Sequence, residues 1–241
     1  MCPVKDSSES APNIAVFADF ENVALGVRMV PIEGAFRKMT RLVHDLSSKV
    51  GKKVRLEFIG EETEVDKTVV DLITDPLVHM IRNSVDHGLE GPSERTATGK
   101  DATGVVTLEA GQEGGEILVT IRDNGRGMNR ERILGKAIER GLVEGNPESL
   151  SDSDVFHFIF QPGFSTAEAV TATSGRGVGM DVVKSNIDKL GGRIHISSQA
   201  GLGSAITLRI PLTLSIIDGM MVQVGASLFI LPLTTVRESI S

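Results

Sequence analysis

The chain contains no tryptophan and no tyrosine, and aromatic residues make up only 4% of it. Stacking on single-stranded nucleic acid therefore has few candidate side chains. A formal net charge of −7 argues against a bulk-basic nucleic-acid binder, so no nucleic-acid partner is expected. Cysteine is nearly absent. Cys2 alone permits no internal disulfide and no cysteine-based metal cage, and it fits a reducing, cytoplasmic setting. No apolar run reaches the about 18 to 20 residues of a membrane span, so direct membrane insertion is not expected. The first ten residues are polar, unlike a secretory signal. What remains is 40% hydrophobic and 24% charged over 241 residues, enough to build a core in one large domain or two small ones.

Residues 1–12 read as a polar, disordered lead, and Ile14–Ala18 as a short buried strand ending at Asp19, Glu21 and Asn22. Phe36, Met39, Val43, Leu46 and Val50 recur at helical spacing, with Gly51 as a C-terminal cap. Val54, Leu56 and Phe58 alternate with charged residues, the mark of a half-buried strand. Asp75-Pro76 reads as a helix start, with Asp75 as N-cap. Leu77, Met80, Ile81 and Val85 form the apolar face of that helix, and Gly88 ends it. Strands are expected at Val105–Ala110 and Glu116–Arg122, joined by a turn at Gly114-Gly115. A helix follows around Ile133–Ile138, another at Asp181–Leu190, and strands at Arg193–Ser198 and Ser204–Ile210. Because the strands come in hairpin pairs, the expected class is an α+β sandwich, with helices packed on one face of a mixed β-sheet.

Four places could hold chemistry, and each has an ordinary reading beside the functional one. His79, Asn83, Asp86 and His87 share a polar helix face. An amide oxygen between two imidazoles could ligate Mg²⁺, yet a solvated helix face looks the same. Asp123-Asn-Gly-Arg-Gly stands at a strand end, where a carboxylate could accept from an exocyclic amine such as adenine N6. Gly125 and Gly127 permit positive φ and close approach of a ligand, although glycines in an Asx-type turn serve geometry alone. Gly175-Arg-Gly-Val-Gly-Met-Asp opens a helix whose N–H groups could hold phosphate, behind a Gly/Ser/Thr-rich stretch that reads as a lid. It is not a Walker loop, since no Gly-Lys-Ser/Thr follows. Gly201-Leu-Gly-Ser reads as a plain hairpin turn.

Taken in order, the Asn on a helix, Asp-x-Gly-x-Gly, Phe-x-Pro-Gly-Phe, Gly-x-Gly-x-Gly and Gly-Ser resemble the N, G1, F, G2 and G3 boxes of the GHKL (Bergerat) ATP-binding fold. Arg28-Met-Val-Pro-Ile, Asp75–Glu90, Gln161-Pro-Gly-Phe-Ser-Thr and Ser174-Gly-Arg-Gly-Val-Gly-Met-Asp-Val-Val narrow the resemblance to chemotaxis histidine kinases of the CheA family. The similarity covers roughly residues 28–241. It implies an ATP-binding catalytic domain at 28–211, preceded by an atypical segment at 1–27. Residues 212–241 resemble the first strands of the SH3-like regulatory domain that binds the coupling protein CheW, and are too few to close that barrel.

The resemblance implies transfer of the ATP γ-phosphoryl group to a histidine on a separate phosphotransfer domain. Asn83 would hold Mg²⁺, and His79 stands where related ATPases carry a Glu and would orient or activate the acceptor imidazole. Asp123 would read adenine, with Gly125, Gly127 and Met128 shaping its pocket and Ser204 standing where Thr is more usual. Lys136, Arg82 and His87 would meet phosphate, and Asp86 would also contact the nucleotide. Ser174, Gly175, Arg176, Gly177, Val178, Gly179 and Met180 would line the phosphates under a lid at about 161–180. Response regulators, a CheW-like coupling protein and chemoreceptors are the implied partners. None of the five histidines sits in the family's His-x-x-Lys-Gly acceptor setting. A non-catalytic ATP-binding or adaptor fragment is therefore the alternative, and a MutL-like ATPase is disfavoured by the missing Glu. Val16-Phe-Ala-Asp-Phe-Glu-Asn also resembles the first strand of NYN-type (PIN-like) nucleases, with Asp19 as a metal acid and Asn22 at a nucleotide site, but no further acidic strand ends complete such a site.

Overall fold

The computed structural model describes residues 28–143, 145–164 and 179–212, together with the backbone of strands at 219–224 and 227–232. The chain enters through β1 (Met29–Pro31) and α1 (Glu33–Val50). Gly51 closes α1 in the left-handed conformation, φ 67°, with its N–H on the Ser47 carbonyl, as a C-terminal glycine should. β2 (Lys53–Ile59) follows, then the short β3 (Glu64–Asp66), which pairs antiparallel with β1.

The next helix departs from the sequence expectation. α2 runs from Lys67 to Asn83, and Asp75-Pro76 lies inside it. The helix begins where the Asp66 side chain accepts from the Thr68 N–H. Val69 and Ile73 then extend the buried face back by two turns ahead of Leu77, Met80 and Ile81. A proline within a helix removes one donor and costs about 3 kcal/mol. Burial of Pro76 among these apolar neighbours offsets that cost, so tertiary packing overrides a local start signal. α2 passes directly into a single π-helical turn, Ser84–Gly88, and Leu89 leaves in extended conformation.

After α3 (Pro92–Ala97), β4 (Thr103–Glu113) and β5 (Glu116–Asp123) form the expected hairpin, turning at Gly114 and Gly115 with φ of 59° and 80°. α4 (Arg130–Glu139) and α5 (Asp152–His157) come next, then α6 (Met180–Lys189), β6 (Arg193–Gln199) and β7 (Gly203–Pro211). The main sheet has the order β2-β4-β5-β7-β6. β2 is parallel to β4, and every other pairing is antiparallel, so the sheet is mixed as expected.

Alternation along the strands sends one row of side chains into the core. Val106, Leu108 and Ala110 of β4, Ile117, Val119 and Ile121 of β5, and Leu208 and Ile210 of β7 are buried with Phe36, Met39, Ile73, Leu77, Met80, Val183 and Ile187 of the helices. Each such side chain contributes about 1.5 to 3 kcal/mol through burial. The architecture is therefore α+β, helices over one face of a mixed sheet. β8 (Gly219–Val224) and β9 (Ser227–Pro232) pair antiparallel in a separate unit. Residues 1–27, including the expected strand at 14–18 and the nuclease-like Asp19 and Asn22, lie outside the described residues. None of the described helices is long and apolar enough to cross a membrane.

Candidate functional site

The site is founded on the period of β5. Ile117, Val119 and Ile121 face the helices, and two residues further on the same row ends in Asp123. The carboxylate is thus carried into the helix layer and is 7% exposed. A buried charge needs partners. Gly125 N–H donates to Oδ1 at 3.0 Å, and the Ser84 hydroxyl donates to Oδ2 at 3.2 Å. Burial pushes the Asp123 carboxyl above the ordinary aspartate range. The N–H of Gly125, the Ser84 hydroxyl and the Ser204 N–H pull it back, and nearby Glu90 adds to the rise.

Glycines make the walls meet. A Cβ at Gly125 would stand 2.1 Å from the Gly88 carbonyl oxygen, so the π-turn and the Asp123 loop touch backbone to backbone. Arg126 N–H donates to that same Gly88 carbonyl at 2.9 Å. The need for glycine at 125 is therefore close approach rather than positive φ, whereas Gly127 has φ 74° and also abuts the Gln199 carbonyl. Gly203, in the presumed plain hairpin, packs on the Asp123 carbonyl, where a Cβ would lie at 1.9 Å. Ser204 pairs with Asp123 across β5 and β7, and its hydroxyl shares a 2.9 Å hydrogen bond with Ser198. The Ser198 hydroxyl in turn accepts from Met128 N–H at 2.8 Å. Met128 itself packs against the core.

A second group of candidates lies along α2 and its π-turn. The Asn83 amide nitrogen donates to Met180 Sδ at 3.0 Å, which ties α2 to the start of α6. Burial lowers the pKa of His79, and neighbouring Arg82 lowers it further. Asp181 opposes the shift and His87 reinforces it, so the ring is neutral at pH 7. Arg82 Nε and Asp86 Oδ1 are buried without a hydrogen-bond partner among the described residues. Gly179 is the N-cap of α6, with no side chain capping it. Lys136 lies on α4, where its carbonyl accepts from Arg140 N–H at 3.2 Å; its ammonium has no hydrogen-bond or ion-pair partner among the described residues. Ser174, Gly175, Arg176, Gly177 and Val178, and the lid expected around them from 165 onward, lie outside the described residues.

Among the described residues no group of three or more His, Cys, Asp or Glu side chains converges, so these residues form no all-protein metal cage. One amide oxygen at Asn83 and an unpartnered buried oxygen at Asp86, three residues on, suit a hard ion that keeps most of its ligands as water and phosphate. Those residues fit Mg²⁺ and do not suit a structural zinc.

Several contributors were not legible from the sequence. Lys52 Nζ donates to the carbonyls of Val85, Asp86 and Leu89 at 2.7–2.8 Å, so one ammonium caps the π-turn at the helix's negative end. Burial depresses its pKa, as does Arg126, while Asp86, Glu94 and Glu90 counter the shift. Lys52 directly follows the Gly51 cap, and a lysine pair between a capped helix and a strand gives no sign of which lysine turns inward. Ser84, Gly88, Glu90, Arg95 and Lys100 complete the surroundings of Asp123 and likewise lack a periodic signal.

A family model described as histidine kinase-, DNA gyrase B- and HSP90-like ATPase matches residues 73–214. The chain is 48% identical over 222 residues, 92% of its length, to the chemotaxis protein CheA of Salmonella typhimurium. It is 43% identical over 225 residues, 93% of its length, to CheA of Bacillus subtilis. It is 47% identical over 227 residues, 94% of its length, to the sensor histidine kinase CheAY of Helicobacter pylori. The chain spans 33%, 34% and 28% of those three relatives. Asn83, Gly88, Asp123, Gly125 and Ser204 all fall inside the matched span, and the chain belongs to the histidine kinase-, DNA gyrase B- and HSP90-like ATPase family, as a GHKL catalytic domain of the CheA kind.

Proposed function

We propose that this domain binds ATP with Mg²⁺ and passes its γ-phosphoryl group to a histidine on a separate phosphotransfer domain. The observation that supports it most is Asp123, a buried carboxylate already supplied with donors and seated between walls that glycines hold at backbone contact. Its raised pKa makes ionisation costly in the empty pocket, and a donor such as the adenine amine lowers that cost. Guanine presents an acceptor at the same place and is rejected. Asn83 and Asp86 would hold Mg²⁺, which would supply positive charge against the nucleotide phosphates. Arg82, His87 and Lys136 add positive charge, and the N-terminus of α6 at Gly179 adds backbone N–H groups.

Catalysis on this reading is positioning and charge stabilisation. The acceptor imidazole's lone pair attacks the γ-phosphorus, a nitrogen–phosphorus bond forms, and ADP leaves with the broken bond's electrons. Neutral His79 accepts a hydrogen bond from the acceptor's remaining N–H and holds the ring in line. The relatives' chemotaxis setting supports a cytoplasmic two-component role, with response regulators, a CheW-like coupling protein and chemoreceptors as partners.

The test is radiolabelled ATP with a supplied CheA-type phosphotransfer domain. Label is expected on the acceptor, and it is lost in Asn83→Ala. ATP binding itself collapses in Asp123→Ala. An unlabelled acceptor in the presence of measured ATP binding would overturn the transfer step.

A further inference from the structure

Beside the Asp123 loop two buried charges, Arg95 and Glu90, and the partly exposed Lys100 form one cluster. Arg95 on α3 is 1% exposed and Glu90 is 6% exposed. Arg95 Nη1 donates to Glu90 Oε2 at 2.8 Å, and Lys100 Nζ donates to Glu90 Oε1 at 2.7 Å. Burial alone would raise the Glu90 pKa, yet the Lys100 hydrogen bond and the charges of Lys100 and Arg95 hold it below the ordinary range. Arg95 Nε is also fixed, on the Asp101 carbonyl at 2.7 Å.

Both cations also donate to the backbone of the loop. Arg95 Nη1 and Lys100 Nζ reach the Asn124 carbonyl at 3.1 and 3.3 Å, and Lys100 Nζ reaches the Gly125 carbonyl at 2.7 Å. Two consecutive peptide planes are thereby clamped at both ends. In the first, the Asn124 carbonyl faces the cations and its N–H, that of Gly125, points at Asp123 Oδ1. In the second, the Gly125 carbonyl faces Lys100 and its N–H, that of Arg126, points at the Gly88 carbonyl. A glycine between two peptides turns over easily, because it has no Cβ to forbid the alternatives. Reversal of either plane would aim a carbonyl oxygen at the Asp123 carboxylate or at Gly88. The cations also polarise each peptide in the sense that strengthens its outward N–H.

We infer that Lys100, with Glu90 and Arg95, is a positioning residue for base recognition: it fixes the peptide planes that orient Asp123, and so sets the preference for adenine over guanine without touching the nucleotide. The inference rests on Asp123 being the adenine reader proposed above.

Lys100 is the variant of choice, because it is partly exposed and Arg95 keeps Glu90 paired in its absence. The dissociation constants for ATP and GTP are measured calorimetrically on the whole chain, alongside melting curves and single-turnover transfer. Removing one charge-assisted donor from each plane is expected to weaken ATP binding about tenfold in Lys100→Met and to narrow the ATP-over-GTP ratio by a similar factor. The rate at saturating ATP stays within about twofold, since the phosphate end is untouched. Lys100→Arg restores most of both losses. If Lys100→Met is too unstable to measure, Lys100→Gln carries the same comparison. Unchanged ATP affinity and unchanged base preference overturn the inference, even with a lowered melting point. Failure of the unmutated chain to bind ATP overturns the adenine-site reading itself, and this inference with it.

Discussion

Gly125→Ala tests the site's geometry most directly. The added methyl would lie 2.1 Å from the Gly88 oxygen and 2.9 Å from Asp123 Oδ1, where ordinary contact begins at 3.4 Å. Neither neighbour is a flexible side-chain end. The π-turn and the loop must separate by more than an ångström, which stretches the 2.9 Å bond from Arg126 N–H to Gly88 beyond hydrogen-bond range. Overpacking plus one lost hydrogen bond costs about 2 to 4 kcal/mol, or about 5 to 15 °C in melting temperature for a domain of this size. The same shift moves Asp123 off the base, so ATP affinity falls at least about tenfold. Calorimetric melting and ATP titration measure both. Gly135→Ala, in α4 with nothing within 4 Å of the added methyl, has the opposite sign and stabilises by about 0.5 to 1 kcal/mol. A Gly125→Ala protein that melts within a degree of the unmutated chain and binds ATP equally well would refute the backbone-seat argument.

Two further predictions concern pH and the cap. On the proposed reading Asp123 accepts from adenine only when ionised, and its pKa lies above the ordinary 3.8, so ATP affinity is expected to decline on acidification earlier than for an exposed aspartate. The sign for stability is opposite: the raised pKa makes ionised Asp123 destabilising at neutral pH, and that penalty is relieved as pH falls through the folded value. Titrating ATP affinity against pH checks the first, and a melting point in Asp123→Asn no lower than that of the unmutated chain checks the second. Lys52→Met strips three carbonyls of their shared donor and is expected to cost about 3 kcal/mol in chemical denaturation, with the loss concentrated in amide exchange of residues 84–89. A loss below about 1 kcal/mol would remove Lys52 from the list of supports.

Periodicity revealed most of the scaffold. The 3.6-residue repeat of α1 and the alternation of β5 depend on local spacing: Phe36, Met39 and Val43 are buried as expected, as are Ile117, Val119 and Ile121, whereas Val50 at the end of α1 is exposed. Asp123 was legible because it extends an alternating row into a glycine-rich turn. The first half of α2 was not, since Asp75-Pro76 imitates a start and only packing of Val69 and Ile73 overrides it. Gly125 was identified for the wrong reason, because its constraint comes from Gly88, thirty-seven positions earlier in the chain. The charged supports Lys52, Glu90, Arg95 and Lys100 were invisible for a related reason. Charged residues are almost never fully buried unless paired, and no local pattern marks which ones turn inward to meet a distant carbonyl.

The pairing of Asp123 with Ser204 has a consequence for the chain during its synthesis. β5 is complete at residue 123, but its neighbour β7 begins only at residue 203. The β4–β5 hairpin can form as soon as it leaves the ribosome, whereas one wall of the base cavity arrives near the end of the domain. The Asp123–Ser204 pairing is therefore gained in one late step. Chains interrupted anywhere before that point leave the β7 side of β5, Asp123 included, without its strand partner.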